Sequence, residues 1–146
     1  VSDGGYGELY PSGLYQMIKR LQKYNKPIYI TENGLPDAAD TLRPSFLFTH
    51  LREVWRAISF CFPVMGYYHW SLVDNFEWDR GWTQRFGLIE MNPQTQERSW
   101  RDSGRLYQEI CQNKAISSEM VRQYAPALLP VLFPGRAPES VAHARK

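Results

Sequence analysis

The stretch Pro27-Ile28-Tyr29-Ile30-Thr31-Glu32-Asn33-Gly34 decides the reading of this chain. The β-branched residues Ile28, Ile30 and Thr31 predict a short strand over Pro27–Thr31, and Asn33-Gly34 is a turn signal that stops it. A carboxylate, Glu32, therefore stands at the C-terminal end of a strand, just ahead of a glycine turn. Further along comes a second run, Gly66-Tyr67-Tyr68-His69-Trp70-Ser71-Leu72-Val73-Asp74-Asn75-Phe76-Glu77-Trp78, in which aromatic rings surround a second acid, Glu77.

Upstream of the first strand, residues 1–10 are glycine-rich and read as loop. Pro11 then sits at the first turn of a helix whose stripe is Leu14, Ile18, Leu21 and Tyr24, ending near Asn25. Downstream, a polar loop from Pro36 to Leu42 leads to Pro44 and a second helix, with Leu47, Leu51, Val54, Trp55 and Ile58 on one face. Val64–Ser71 is apolar or aromatic on both faces, as in a parallel strand covered on both sides. An aromatic loop, Leu72 to Phe86, precedes a hairpin of Gly87–Met91 with Glu97–Trp100 around Asn92-Pro93-Gln94-Thr95. Asp102 or Ser103 is expected to cap a helix carrying Leu106, Tyr107 and Ile110. Ser118–Tyr124 reads as one more helix, and residues from about Gly135 to Lys146 read as disordered. Helices alternating with strands in this order indicate βαβ units and a parallel sheet.

Composition narrows the class. With 17 basic and 15 acidic residues in 146, nothing calls for nucleic acid or an anionic membrane as a partner. No apolar run approaches the roughly 20 residues of a membrane span. Cys61 and Cys111, the two cysteines, have no metal-type spacing and are expected to be reduced, partly buried thiols. His50 and His143 have no ligand partner at metal spacing. No metal or organic cofactor is expected, and neither a phosphate loop nor a serine or cysteine nucleophile motif is present.

The two motifs, in this order, resemble the C-terminal part of the family 1 glycoside hydrolases, the retaining β-glucosidases and β-galactosidases. The resemblance runs from about Tyr6 to Ile116. It implies an α/β fold, the C-terminal part of a (β/α)8 TIM barrel, with strands 7 and 8 and their flanking helices. Residues 1–116 would be the last quarter of the barrel and 117–146 a C-terminal extension. Asp40-Thr41-Leu42-Arg43-Pro44 and Ser99-Trp100-Arg101 look closer to archaeal-type and thermophilic members. A whole barrel takes about 250 residues. A start at Val1 also fits a processed product or one piece of a longer protein. A cytoplasmic location is expected.

The resemblance implies that Glu32, in Thr31-Glu32-Asn33-Gly34, is the nucleophile that forms a covalent glycosyl–enzyme. Trp70 and Trp78 would flank the sugar, Glu77 would accept its outer hydroxyls, and Phe86 would border the same pocket. Indole faces suit the C–H faces of a pyranose, and one carboxylate suits two hydroxyl donors. A carboxylate at Glu77 would repel a phosphorylated sugar, so an unphosphorylated β-D-glucoside or β-D-galactoside is the expected substrate. His69 precedes Trp70 and by strand alternation faces the helices instead. Retaining hydrolysis needs a second carboxyl roughly 5–5.5 Å from the first. The family's Asn-Glu-Pro acid/base motif is absent here, as are its N-terminal glycone ligands and the Tyr that supports the nucleophile. None of Glu8, Glu53, Glu90, Glu97 or Glu109 has a comparable setting. The expected partner is therefore the N-terminal complementary part of the barrel, in the same or a separate chain. The chain alone is expected to be inactive. The alternative is a non-catalytic sugar-binding or structural fragment of a family 1 relative.

Overall fold

The computed structural model describes residues 2–5 and 8–135. The disorder expected beyond Gly135, together with His143, lies outside the described residues. In chain order the elements are α1 (Pro11–Leu21), β1 (Ile28–Asn33), α2 (Arg43–Ser59), β2 (Val64–His69), β3 (Ile89–Met91), β4 (Arg98–Trp100), α3 (Asp102–Asn113), α4 (Ser118–Tyr124) and α5 (Leu129–Leu132). Proline opens α1 and sits at the start of α2, where its missing N–H is not needed. β1 and β2 pair in parallel, with Ile28 opposite Val64, Tyr29 opposite Gly66, Ile30 opposite Tyr67 and Asn33 opposite His69. β3 and β4 form the expected antiparallel hairpin, and Asn92 Oδ1 accepts the amides of Gln94 and Thr95 in its turn. No described helix is long and apolar enough to cross a membrane.

Two apolar clusters hold these elements together. Ile28 and Ile30 of β1 pack with Ile18 of α1 and Val54 and Ala57 of α2. Leu47 and Phe48 of α2 meet Leu88, Leu106 and Ile110, and then Met120, Val121, Ala125 and Leu129. The segment after α3 is thus folded onto the same core as the barrel-type helices.

The other face of the β1–β2 pair is bare. Tyr29 is 55%, Met65 62% and Tyr68 59% exposed. The apolar residues on both faces of β2 are therefore covered on one side by this chain's own helices and open on the other.

Several sequence expectations are corrected by the fold. Leu21 and Tyr24 are exposed because α1 ends at Leu21 and passes into a short 3-10 turn, Gln22–Tyr24, closed by Asn25 at φ 48°. Trp55 and Ile58 extend the apolar face of α2 past its buried stripe and are exposed. Cys61 and Cys111 are both free and exposed, not partly buried. Cys61 lies just beyond α2, where the chain turns with φ 59°. Neither Asp102 nor Ser103 caps α3; Asp40 does so from a distant loop, its Oδ2 accepting the Ser103 amide at 2.8 Å.

That cap belongs to a buried polar knot beneath the sheet's C-terminal end. The Arg43 guanidinium, with no exposed surface, pairs with Asp40 and donates to the backbone carbonyls of Asp37 and Arg85 at 2.7 and 2.8 Å. Asp37 Oδ2 accepts the amides of Leu42 and Arg43, capping the start of α2. Alongside it, Asp74 takes both arms of Arg101 at 3.0 Å each, and its Oδ1 also accepts the Gly87 amide at 2.8 Å. Arg101 further donates to the Gly87 carbonyl at 2.7 Å. Two-pronged pairing of this kind satisfies the charges that burial strips of water. Truncating one member leaves the other uncompensated. Asp74→Ala is expected to lower unfolding free energy by about 3–5 kcal/mol, read from urea denaturation. Replacing both partners together, Asp74→Leu with Arg101→Met, should recover only part of that loss, because the buried Gly87 amide and carbonyl then lose their partners.

Candidate active site

The site is built where the two parallel strands end. From Ile30 to Asn33 β1 takes three steps while its partner takes two, Tyr67 to His69, so β1 carries one extra residue in the Thr31–Glu32 stretch. Such a bulge breaks strict alternation and re-aims side chains. Thr31 and Glu32 are consequently both exposed, whereas Ile28 and Ile30 are buried on the helical side. Pairing then resumes, and the Trp70 amide donates to the Asn33 carbonyl at 3.1 Å. Gly34 follows with the Trp70 carbonyl against it; a Cβ at that position would lie 1.7 Å from the oxygen. Only glycine permits this approach, so Gly34, directly after the last residue of β1, lets the two strand ends come into contact.

Beyond β2 the chain departs on a long excursion that is stitched shut at its base. Ser71 N donates to the Phe86 carbonyl at 3.2 Å, Leu88 N to Ser71 at 3.0 Å and Asp74 N to Ile89 at 3.0 Å. The Asp74–Arg101 pair clamps the same base. Within the excursion Glu77 N donates to the Gly81 carbonyl at 2.7 Å, and a single 3-10 turn spans Trp78–Arg80. Trp78 has φ 44°, a left-handed conformation that an aromatic residue rarely adopts, and the residue is 79% exposed. Backbone held in such a region by its surroundings is frequent at ligand sites. Phe76 and Trp82 pack edge to face at 6.1 Å behind it.

These segments enclose a cleft of about 490 Å³ lined by Glu32, Asn33, Gly34, Trp70, Glu77, Trp78 and Phe86. The five residues singled out in the sequence all line this one concavity. Phe86 is buried as well, so it both packs under the loop and borders the cleft. Asn33 and Gly34, read in the sequence only as a turn, line it too. Arg43, Asp40, Asp74 and Arg101 stand within the quoted motifs, but the sequence reading gave none of them a role. The signals were an arginine just before a helix-starting proline and an aspartate within an aromatic loop. Among the described residues no group of three or more His, Cys, Asp or Glu side chains has the arrangement of a metal site.

His69 faces away from the cleft, as alternation requires. It is buried, with the rings of Phe46 and Tyr107 each 6.2 Å from its own. Burial, and secondarily the nearby Arg43 guanidinium, hold its pKa at about 3, against a small opposing pull from the Phe86 carbonyl. His50 stacks on Phe46 at 3.8 Å, shares a 2.9 Å hydrogen bond with the Phe46 carbonyl, and is also pushed downward by burial. Both imidazoles are neutral packing groups.

A second concavity, about 540 Å³, lies on the helical side between α2, α3 and α5. Leu51, Trp55, Ile58 and Phe133 line it, and Arg52 and Lys114 are its charged residues. No carboxylate is among its lining residues.

Comparison with known proteins fixes the family. Residues 3–116 match the model for glycosyl hydrolase family 1. The chain belongs to glycosyl hydrolase family 1. A β-galactosidase of Pyrococcus woesei is 43% identical over 121 residues, 82% of this chain and 24% of that protein. Beta-glucosidase A of Thermotoga maritima is 38% identical over 120 residues, 75% of this chain and 27% of that protein. The crystal structure of the hyperthermophilic β-glucosidase from Pyrococcus furiosus superposes with a TM-score of 0.81 at 41% identity, covering 88% of this chain and 27% of that one. The chain thus spans about a quarter of the length of the family 1 relatives it matches. Its fold is the C-terminal part of a (β/α)8 barrel, with β1 and β2 as the seventh and eighth strands.

The neutral state of His69 sets a pH dependence. In the unfolded chain its pKa returns to about 6.5. A depressed folded value means the unfolded state binds the extra proton first. Stability is therefore full above pH 6.5 and is lost as pH falls toward 3. Urea midpoints at pH 7 and pH 5 should show a smaller acid-side loss in His69→Gln than in the unaltered protein. An unchanged loss would place the acid sensitivity elsewhere.

Proposed function

We propose that this chain is the nucleophile-bearing quarter of a retaining β-glycosidase acting on unphosphorylated β-D-glucosides or β-D-galactosides. The observation that carries this reading is the gathering of Glu32, Trp70, Glu77, Trp78 and Phe86 around one cleft at the C-terminal ends of two parallel strands. In (β/α)8 enzymes that end of the barrel is where substrates bind. The relatives bearing β-galactosidase and β-glucosidase names support the substrate class.

In this mechanism a Glu32 oxygen attacks the anomeric carbon of the sugar. The C1–O bond to the aglycone breaks as the Glu32 ester bond forms. An acid from the preceding part of the barrel protonates the departing oxygen, then acts as base on the water that hydrolyses the ester. The exposed faces of Trp70 and Trp78 lie against the C–H faces of the sugar, and Glu77 accepts its hydroxyls. Glu77 also disfavours a sugar phosphate, since the like charges would meet in a cleft screened only in part from water. The bare face carrying Tyr29, Met65 and Tyr68, and the outer edges of β1 and β2, would be covered by the complementary part of the barrel. Without that part the acid/base is missing and the chain alone is inactive.

In the assembled barrel, Glu32→Gln is expected to lower aryl-glycoside turnover by several orders of magnitude while sugar binding persists. Turnover at the original rate would overturn the nucleophile assignment. Glu77→Ala is expected to weaken glycone binding by about 1.5–3 kcal/mol, the worth of hydrogen bonds to a charged group. Isothermal titration with a non-hydrolysable glycoside measures it, and an unaltered affinity would remove Glu77 from the site.

A further inference from the structure

We infer that Tyr67 is a positioning residue for Glu32, acting through the side chain of Asn33; the inference rests on the reading of Glu32 as nucleophile. The bulge that turns Glu32 into the cleft also removes the regular ladder contacts at Thr31 and Glu32, the two residues between the register pairs Ile30–Tyr67 and Asn33–His69. Backbone pairing resumes at Asn33 through the Trp70 amide, and a side-chain contact adds to it there. Tyr67 stands opposite Ile30, on one side of the irregularity, and its hydroxyl donates to Asn33 Oδ1, on the other side, at 2.9 Å. The Tyr67 hydroxyl also lies 3.5 Å from the Asn33 carbonyl. One side chain therefore spans the bulge and ties down the residue that follows the carboxylate.

The anchor is itself held. The Tyr107 hydroxyl of α3 donates to the Tyr67 carbonyl at 3.2 Å, and the two rings lie 6.4 Å apart. The Tyr67 ring packs against the cluster of Ile18, Ile28, Ile30 and Val54. Burial, and secondarily Tyr107, push the Tyr67 phenol well above its ordinary pKa, so the hydroxyl remains a donor at any pH the protein meets. A buried phenol fixed at both ends is stiffer than a loop contact. Small displacements of a nucleophile are expensive in rate, about a hundredfold for 1 Å.

The test is the pre-steady-state reaction of the assembled barrel with a 2,4-dinitrophenyl 2-deoxy-2-fluoro-β-glycoside. Glu32 attack forms the C1–O ester bond and expels dinitrophenolate, which leaves with the bonding electrons and needs no proton. The fluorine slows hydrolysis, so the burst amplitude counts folded sites and the burst rate reads the attack. Tyr67→Phe keeps the ring and removes only the hydroxyl. The expected result is a full amplitude with a burst rate lowered about tenfold or more, and little change in the concentration giving half-maximal rate. Asn33→Ala should show the same defect from the other side of the contact, and the double variant should be no slower than either single one. Asn33→Ala alone also serves if Tyr67→Phe does not fold.

A wild-type burst rate in Tyr67→Phe, whether or not the amplitude falls, would make the contact purely structural and overturn the inference. Additive losses in the double variant would overturn it equally. Glu32→Gln separates the two levels. If that variant keeps the burst, the nucleophile reading itself fails. If it abolishes the burst while Tyr67→Phe does not slow it, only the positioning role falls.

Discussion

Buried arginine charge is the constraint on which the remainder of this structure depends. Arg43 and Arg101 are taken out of water beneath the strand ends, and each must be surrounded by acceptors. Meeting that demand draws together segments that are far apart in sequence. Asp37, Asp40 and the Arg85 carbonyl converge on Arg43, while Asp74 and the Gly87 carbonyl converge on Arg101. The loop after β1, the excursion after β2 and the start of α3 are thereby fixed to one another. The cleft walls are carried by the first two of these segments. The apolar clusters fold the helices onto the sheet, but they do not reach the loops. The polar knot does.

The regular elements were legible because short-range chemistry dictates them. Ile28, Ile30 and Thr31 announce β1, Pro11 and Pro44 announce helix starts, and Asn92-Pro93-Gln94-Thr95 announces the hairpin turn. The cleft was legible through its two motifs, whose residues meet around it. What stayed hidden depends on contacts between distant positions. Asp40 caps α3 across a separation of 63 residues, which no local capping pattern at Asp102 or Ser103 reveals. The bulge at Thr31–Glu32 depends on how two strands register, which the alternation of one strand does not encode. The exposed Trp55 and Ile58 misled because helical periodicity marks an apolar face without saying what covers it.

The bare face of the sheet and the occupied face differ in kind. Ile28 and Ile30 meet small and branched residues, Ala57 and Val54, which let α2 lie close. The open face presents Tyr29, Tyr68 and Met65, large side chains suited to filling the middle of a barrel. Residues that would leave gaps on one side are the ones needed on the other. The pair of strands thus carries, in its side-chain sizes, an inside and an outside.

The Arg85 carbonyl, which accepts both the Asp37 amide and the Arg43 guanidinium, joins the two loops at a single oxygen. Neither loop can be shortened, lengthened or exchanged without disturbing the seat of the other. A change that moves this one oxygen is therefore felt in both loops at once, and through Arg43 at the first turn of α2.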